Sequence, residues 1–206
     1  MSMLYYILLV AGGYLLGSLS PSIVLSRKAW GIDIRDHGSH NAGTTNMLRV
    51  MGWRYGVLTF VFDLLKGVLP ALVGLWTGLP YGAYAAGAAA VLGHGYPVFA
   101  RFKGGKCVTT ATGMLLVIQP AFVGIAMAIG IALCFITRIV SVSVLSTYLV
   151  ATVLAFLLPG IPKPFAFLVL GVTILLFIRH KENIRRILRG EEKRLVVGKG
   201  KKEHLK

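Results

Sequence analysis

The chain contains long apolar runs without a charged side chain, and these runs limit the folds that are open to it. Residues 108–136 and 139–158 are two of them. With 56% hydrophobic and only 14% charged residues, the chain has more apolar surface than a soluble domain of this size needs. Inside a bilayer, helices satisfy their own backbone polar groups. We therefore expect an all-α, polytopic membrane protein.

Charge placement predicts about seven transmembrane helices. A proline at position 120 disfavours helix at Gln119, and the loops on both sides of residues 108–136 are basic. This stretch is therefore divided into two crossings or one re-entrant pair. The predicted segments are residues 3–25, 55–76, 81–92, 108–118, 121–136, 139–158 and 165–178.

The same arrangement predicts the orientation. All but Lys66 and Lys163 of the 22 Lys and Arg residues fall on one side, which the positive-inside rule assigns to the cytoplasm. The amino terminus is then outside and the carboxyl terminus cytoplasmic. Residues 1–206 form a single integral membrane domain, in which residues 179–206 are a cytoplasmic basic tail.

Composition also excludes several classes of function. The net charge of +15 is expected in loops beside membrane segments, so nucleic acid is not an expected partner. No cluster of carboxylates offers a Mg²⁺ site. Cys107 and Cys134 lack the spacing of a metal site or a disulfide framework. We therefore expect neither a metal nor another cofactor.

A glycine pair between two lysines marks the first candidate site, in the stretch GHGYPVFARFKGGK at residues 93–106. Paired glycines allow a sharp turn whose N–H groups bind an anion, and nearby lysines add positive charge. A Walker A loop is excluded because Ala100 stands where that motif needs glycine. The stretch predicts a phosphate-binding loop at the membrane surface.

A second polar stretch, GSHNAGTTNMLR at residues 38–49, predicts another anion site at a helix start. Asn46 and Arg49 would share one face of that helix. Ordinary helix capping explains the same residues and stays an alternative. Asp63 and Lys66 lie three residues apart within a predicted span, as either a structural ion pair or part of a polar site.

Four stretches together resemble one family, the bacterial acyl-phosphate:glycerol-3-phosphate acyltransferases (the PlsY family). They are the two stretches above, GSLSPSIVLSR at residues 17–27 and RHKENIRRILRGEE at residues 179–192. The resemblance implies transfer of a fatty acyl group from acyl phosphate to the 1-hydroxyl of glycerol 3-phosphate. Lysophosphatidic acid and phosphate are the products, in an early step of phospholipid synthesis. It also implies a bacterial inner-membrane location, contact with membrane lipid and a cytoplasmic active site.

The resemblance also assigns site residues. It implies catalytic roles for Lys106, Ser141, His180 and Asn183. Either His180 or the departing phosphate removes the hydroxyl proton, and a helix-end hydrogen bond is the alternative role for His94. The implied substrate-binding residues are Ser39, Asn41, Gly43, Thr45, Asn46, Arg49, His94, Lys103, Gly104 and Gly105. His40 and Cys107 depart from the family pattern, which has glycine at both places.

A transporter for an organic phosphate is the main rival. Such a protein places its polar site near the bilayer midplane, with polar residues on both sides. Here the predicted outside loops are short and nearly uncharged, which favours the acyltransferase. The density of polar motifs on one predicted face also disfavours a membrane scaffold without a site.

Overall fold

All regular elements in the computed structural model, which describes residues 2–196 and residue 198, are helical. The all-α fold class is therefore confirmed. Short 3₁₀ turns at Ile34–Asp36 and Val98–Ala100 lie in the loops. The α-helices are α1 (Ser2–Ser18), α2 (Pro21–Trp30), α3 (Thr44–Met51), α4 (Trp53–Trp76), α5 (Gly82–Gly95), α6 (Val108–Ile118), α7 (Pro120–Thr137), α8 (Val140–Leu157), α9 (Lys163–Arg179) and α10 (Lys181–Leu188).

Four helical segments in the described part of the chain are long and apolar enough to cross a membrane. They are the run Ser2–Trp30, which comprises α1 and α2, and the helices α4, α7 and α8. The pair α9 and α10, bent by 65°, makes a fifth if it is one span, and α6 is a shorter apolar helix. The count of seven spans and the orientation of the termini stay predictions.

Prolines determine where several helices begin. The break at Gln119 is confirmed, because α7 begins at Pro120. The predicted first span, residues 3–25, lies within the candidate span Ser2–Trp30, which is interrupted where α1 ends at Ser18 and α2 begins at Pro21. Proline lacks an N–H and suits the first helical position, where that donor would be unpaired.

The packing of the described residues gives two compact units, residues 2–114 with residues 196 and 198, and residues 115–195. In the first unit, α1 approaches α5 closely at two glycines. A Cβ added at Gly13 or Gly17 would lie 2.3 or 2.1 Å from the carbonyl oxygens of Ala86 and Ala90. The predicted packing role of these glycines is therefore confirmed.

A buried cluster in the first unit supports the polar loops. Its members come from α2, α3, the two 3₁₀ turns and the loop before α3, so parts of both predicted anion stretches share one packed core. They are Ile23, Trp30, Ile34, Ala42, Met47, Met51 and Ala100.

The second unit is built on α7, α8 and α9. The hydroxyls of Thr152 and Thr173 lie 2.8 Å apart between α8 and α9, and Phe122 packs edge-on against Phe165. After α10 the chain returns to α8, where the Leu195 N–H donates to the Arg138 carbonyl. The prediction of a single domain stays a prediction.

Candidate functional site

The loop of residues 103–106 is seated closely against its neighbours. A Cβ added at Gly105 would lie 2.0 Å from His94 Nε2 and 2.6 Å from the Ala42 carbonyl oxygen. The Gly105 N–H donates to the His94 carbonyl at 3.1 Å. Positive φ angles occur instead at Arg101 and Phe102. The glycines therefore serve close packing, and the sharp turn comes earlier than the sequence predicted.

Arg35 holds this loop from another side and was missed by the sequence reasoning. Its Nη1 donates to the carbonyls of Ala100 and Lys103, at 3.1 and 3.3 Å. Nε and Nη2 of Arg35 both bond the Asp33 carboxylate, at 2.9 and 2.7 Å. The Arg35 hydrogen bonds hold the pKa of Asp33 well below its usual range, so this ion pair persists throughout the physiological pH range.

Asn46 is engaged inside its own loop. Its Oδ1 accepts the Ser39 N–H at 2.8 Å. Its Nδ2 points to three backbone carbonyls, those of Ile34, His37 and Asn41, at 2.9–3.1 Å. This buried amide holds the loop together, so the structure favours a supporting role over the predicted contact with substrate phosphate.

The start of α3 offers hydrogen-bond donors. Gly43 precedes it as an N-cap with an extended backbone and provides no side-chain cap. The hydroxyl of Thr44 is buried and has no hydrogen-bond partner among the described residues. An uncapped helix start with a buried, unpaired hydroxyl is a suitable place for an anion.

The other predicted residues of this stretch lie just before α3 or on it, with Arg49 in its last turn. Asn41 Nδ2 would lie 3.1 Å from a Cβ at Gly43, while Thr45 and Arg49 are half-buried on α3. Because Gly105 contacts the Ala42 carbonyl, the two predicted anion sites lie side by side within the first unit. Lys103 is exposed there and Lys106 half-buried.

The predicted ion pair in α4 is present and is part of a larger buried network. Lys66 Nζ lies 2.9 Å from Asp63 Oδ1 and donates to the Leu19 carbonyl at 2.8 Å. His94 Nδ1 lies 3.5 Å from the same Asp63 oxygen and 3.0 Å from the Thr110 hydroxyl. His94 thus has both a buried network on one edge and Gly105 on the other.

In the second unit, Ser141 and Asn183 meet at one carboxylate oxygen. Both donate to Glu192 Oε1, and Arg186 Nε donates to Glu192 Oε2 at 2.7 Å. Burial raises the pKa of Glu192, but the hydrogen bonds from Asn183, Arg186 and Ser141 outweigh it and leave the pKa below its usual value. Glu192 was missed, although a carboxylate in so basic a tail is itself a signal.

His180 lies at the bend between α9 and α10, where the chain direction changes by 65°. Its buried ring directs Nδ1 to the Leu176 carbonyl at 2.8 Å. A carbonyl oxygen only accepts, so Nδ1 carries a proton. On a neutral ring the lone pair is then on Nε2, as a base requires.

The two departures from the family glycines both lie in the left-handed region of the backbone. The φ angle is 57° at His40 and 67° at Cys107. Residues that carry a side chain rarely adopt this backbone conformation, whereas glycine adopts it without strain. The backbone at both positions is therefore one that a glycine would suit.

No group of three metal-binding side chains occurs among the described residues.

Most of the chain is similar to known proteins. The family described as glycerol-3-phosphate acyltransferase matches residues 7–190. The chain belongs to this family. Proteins named glycerol-3-phosphate acyltransferase from Geobacillus kaustophilus and Anaeromyxobacter dehalogenans are 42% and 40% identical to it. These matches cover 90% and 91% of this chain, and 93% and 96% of the relatives.

A solved structure has the same fold. It is described as the glycerol 3-phosphate form of PlsY (YgiH), an integral membrane glycerol 3-phosphate acyltransferase. It is 37% identical with a TM-score of 0.85, and the match covers 93% of this chain and 96% of that one. A second form of that enzyme, described with lysophosphatidic acid, is 35% identical with a TM-score of 0.81, over 92% of this chain and 94% of that one.

Proposed function

We propose that this chain is an acyltransferase that moves a fatty acyl group from acyl phosphate to the 1-hydroxyl of glycerol 3-phosphate. The products are lysophosphatidic acid and inorganic phosphate. Membership of the family supports the reaction, as does a similar protein whose structures are described with glycerol 3-phosphate and with lysophosphatidic acid. The reaction needs no cofactor, because acyl phosphate is already an activated mixed anhydride.

One observation carries the proposal most strongly: the loop of residues 103–106 packs against the uncapped start of α3. There the chain combines the unpaired Thr44 hydroxyl with the loop cations Lys103 and Lys106, and Arg49 lies in the last turn of the same helix. Phosphate is common to both substrates and matches these donors and charges. Ser39, Asn41, Gly43 and Thr45 supply the nearby backbone and side-chain polar groups.

The chemistry is a direct displacement at the acyl carbon. The 1-hydroxyl oxygen forms a bond to that carbon, the bond from the carbon to the phosphate oxygen breaks, and the hydroxyl proton is lost. Positioning and charge stabilisation supply most of the rate. Lys106, beside Gly105, is assigned to the negative charge that grows on the departing phosphate.

Within the second unit, His180, Ser141 and Asn183 are the proposed catalytic residues. With Nδ1 bonded to the Leu176 carbonyl, His180 Nε2 is the atom that takes the hydroxyl proton when the ring acts as base. The departing phosphate is the alternative acceptor of that proton. Ser141 and Asn183 supply hydrogen bonds, and their shared bond to Glu192 fixes their orientation.

The proposed setting is the bacterial inner membrane, with seven segments and the active site on the cytoplasmic face. The candidate spans and the integral membrane relative support it. The acyl chain of the donor then lies among membrane lipids. A cysteine introduced at Gln119 should react with an impermeant thiol reagent from outside intact cells. Labelling from the cytoplasmic side alone would contradict the proposed topology.

Phosphate release tests the function. Purified protein supplied with acyl phosphate and glycerol 3-phosphate should release phosphate and form lysophosphatidic acid in equal amounts. Asn183→Ala should lower turnover by more than the accompanying loss of folding stability explains, with stability measured as the unfolding temperature. Phosphate release that does not depend on glycerol 3-phosphate would indicate hydrolysis and reject the transfer, and acyl transfer from a thioester alone would reject acyl phosphate as the donor.

A further inference from the structure

A buried cluster of three polar side chains in the first unit contacts the loop of residues 103–106 through His94. Its members are Asp63 on α4, His94 in the last turn of α5 and Thr110 on α6. Asp63 and Thr110 are 2% and 0% exposed, so neither side chain is accessible to a substrate that approaches from water. Polar side chains at such depth cost free energy unless they are hydrogen-bonded, so the bonds that these residues make are part of what holds this region in place.

The hydroxyl of Thr110 determines the state of His94 Nδ1. It donates its only hydrogen to the Asp63 carbonyl at 2.9 Å. Its 3.0 Å contact with His94 Nδ1 is therefore one in which the ring N–H donates. The Asp63 carboxylate, 3.5 Å from Nδ1, favours the same proton. Thr110 and Asp63 together fix both the tautomer and the direction of the ring.

The other edge of the ring faces the loop. A Cβ at Gly105 would lie 2.0 Å from Nε2 and 2.9 Å from Cδ2 of His94. The His94 carbonyl accepts the Gly105 N–H and would lie 2.1 Å from a Cβ at Gly104. Both glycines between the two lysines thus rest on His94.

We propose that Thr110 and Asp63 are positioning residues, which act through His94 to hold the glycine–lysine loop in its working geometry. This inference rests on the proposed function in so far as the loop binds substrate phosphate. Lys66 has a separate task, because its second bond, to the Leu19 carbonyl, occupies an acceptor at the break between α1 and α2.

Thr110→Val tests the inference by removing the hydroxyl while nearly conserving shape. Misplacement of a reacting group by about 1 Å can cost on the order of 10²-fold in rate, so we expect kcat/KM to fall about tenfold or more. Thr110→Ser keeps the hydroxyl and should restore most of the activity. Thr110→Ala, which removes the hydroxyl without a new methyl group, should behave like Thr110→Val.

Thr59→Val is the matched control. Thr59 is equally buried, at 0% exposure, and its hydroxyl bonds the Tyr55 carbonyl of its own helix. Both valine variants should lower the unfolding temperature similarly, and only Thr110→Val should lower kcat/KM. Equal losses of activity in the two variants, or a normal kcat/KM for Thr110→Val, would overturn the proposal.

A chemical probe separates this inference from the proposed function. The chain has two cysteines, so a Cys134→Ala background leaves only Cys107, which is buried next to Lys106. Thr110→Val should speed modification of Cys107 by a thiol reagent, and Thr110→Ser and Thr59→Val should not. If the wild type transfers no acyl group, the proposed function fails while labelling still decides the positioning. Unchanged labelling in Thr110→Val overturns it.

Discussion

Replacing Glu192 by glutamine should destabilise the second unit and lower turnover together. In the native protein one oxygen of Glu192 accepts from Ser141 and Asn183, and the other accepts from Arg186. A glutamine keeps an oxygen for the first two donors. Its amide nitrogen then faces Arg186 Nε, so one charge-assisted bond becomes a contact between two donors.

The magnitude follows from burial. The side chain of Glu192 is 8% exposed, whereas that of Arg186 is 34% exposed. Hydrogen bonds to charged groups contribute about 1.5–3 kcal/mol, and the exposure of Arg186 favours the lower half, about 1.5–2 kcal/mol. For a soluble chain of this length, that loss lowers the unfolding temperature by about 3–8 °C.

The assay is thermal unfolding in detergent, followed by phosphate-release kinetics below the transition. Glu182→Gln is the matched control, because Glu182 is 56% exposed and pairs with Arg185 on the same helix. Such surface pairs contribute about 0.5 kcal/mol or less. Equal unfolding temperatures for Glu182→Gln and Glu192→Gln would refute the central role of Glu192.

The dependence on pH has a definite sign. A carboxyl whose pKa is lowered by folding stabilises the protein above its unfolded value, here near 4.5, and loses that contribution as the pH falls through the folded value. The difference in stability between wild type and Glu192→Gln should therefore be constant from about pH 7 to 5. It should shrink below about pH 4.5, and a gap that widened in acid would contradict the assignment.

Four further substitutions test the proposed site residues. Gly105→Ala should lower kcat/KM by about tenfold or more, because its Cβ would lie 2.0 Å from His94 Nε2, whereas Gly12→Ala meets no atom within 4 Å and should be silent. Arg49→Lys should raise the KM for glycerol 3-phosphate, since lysine lacks the bidentate fork of arginine. Lys106→Ala should lower kcat, because it raises the activation barrier by about 2–4 kcal/mol. The reverse pattern would exchange the two roles. His180→Ala should lower turnover by ~10²-fold or more if the ring is the base, and by less if phosphate is.

The parts of the fold that sequence predicted well depend on local signals. Pro120 begins α7 because a missing N–H and a fixed φ act at one position. The helical segments themselves follow from apolar composition. Pro21 carries the same signal, and α2 begins there within a stretch that is one candidate span.

Side-chain partners distant in sequence could not be predicted in this way. Glu192 meets Ser141 across 51 residues, a pairing that no local pattern encodes. Asn46 lies in a motif typical of anion binding, yet its amide is used by three backbone carbonyls of the preceding loop. The motif indicated the right region of the molecule and left open which side chains support it.

The ion pair in α4 also has a consequence for how the protein is made. An isolated Asp or Lys at the centre of a span costs about 2.5–3.5 kcal/mol during insertion, and pairing Asp63 with Lys66 on one helical face reduces that cost within α4 itself. Lys66 finds its second partner, Leu19, in chain that has already been synthesised. Asp63 must wait for His94 and Thr110, which follow it. The buried network of the first unit can therefore be complete only once α6, which carries Thr110, is in place.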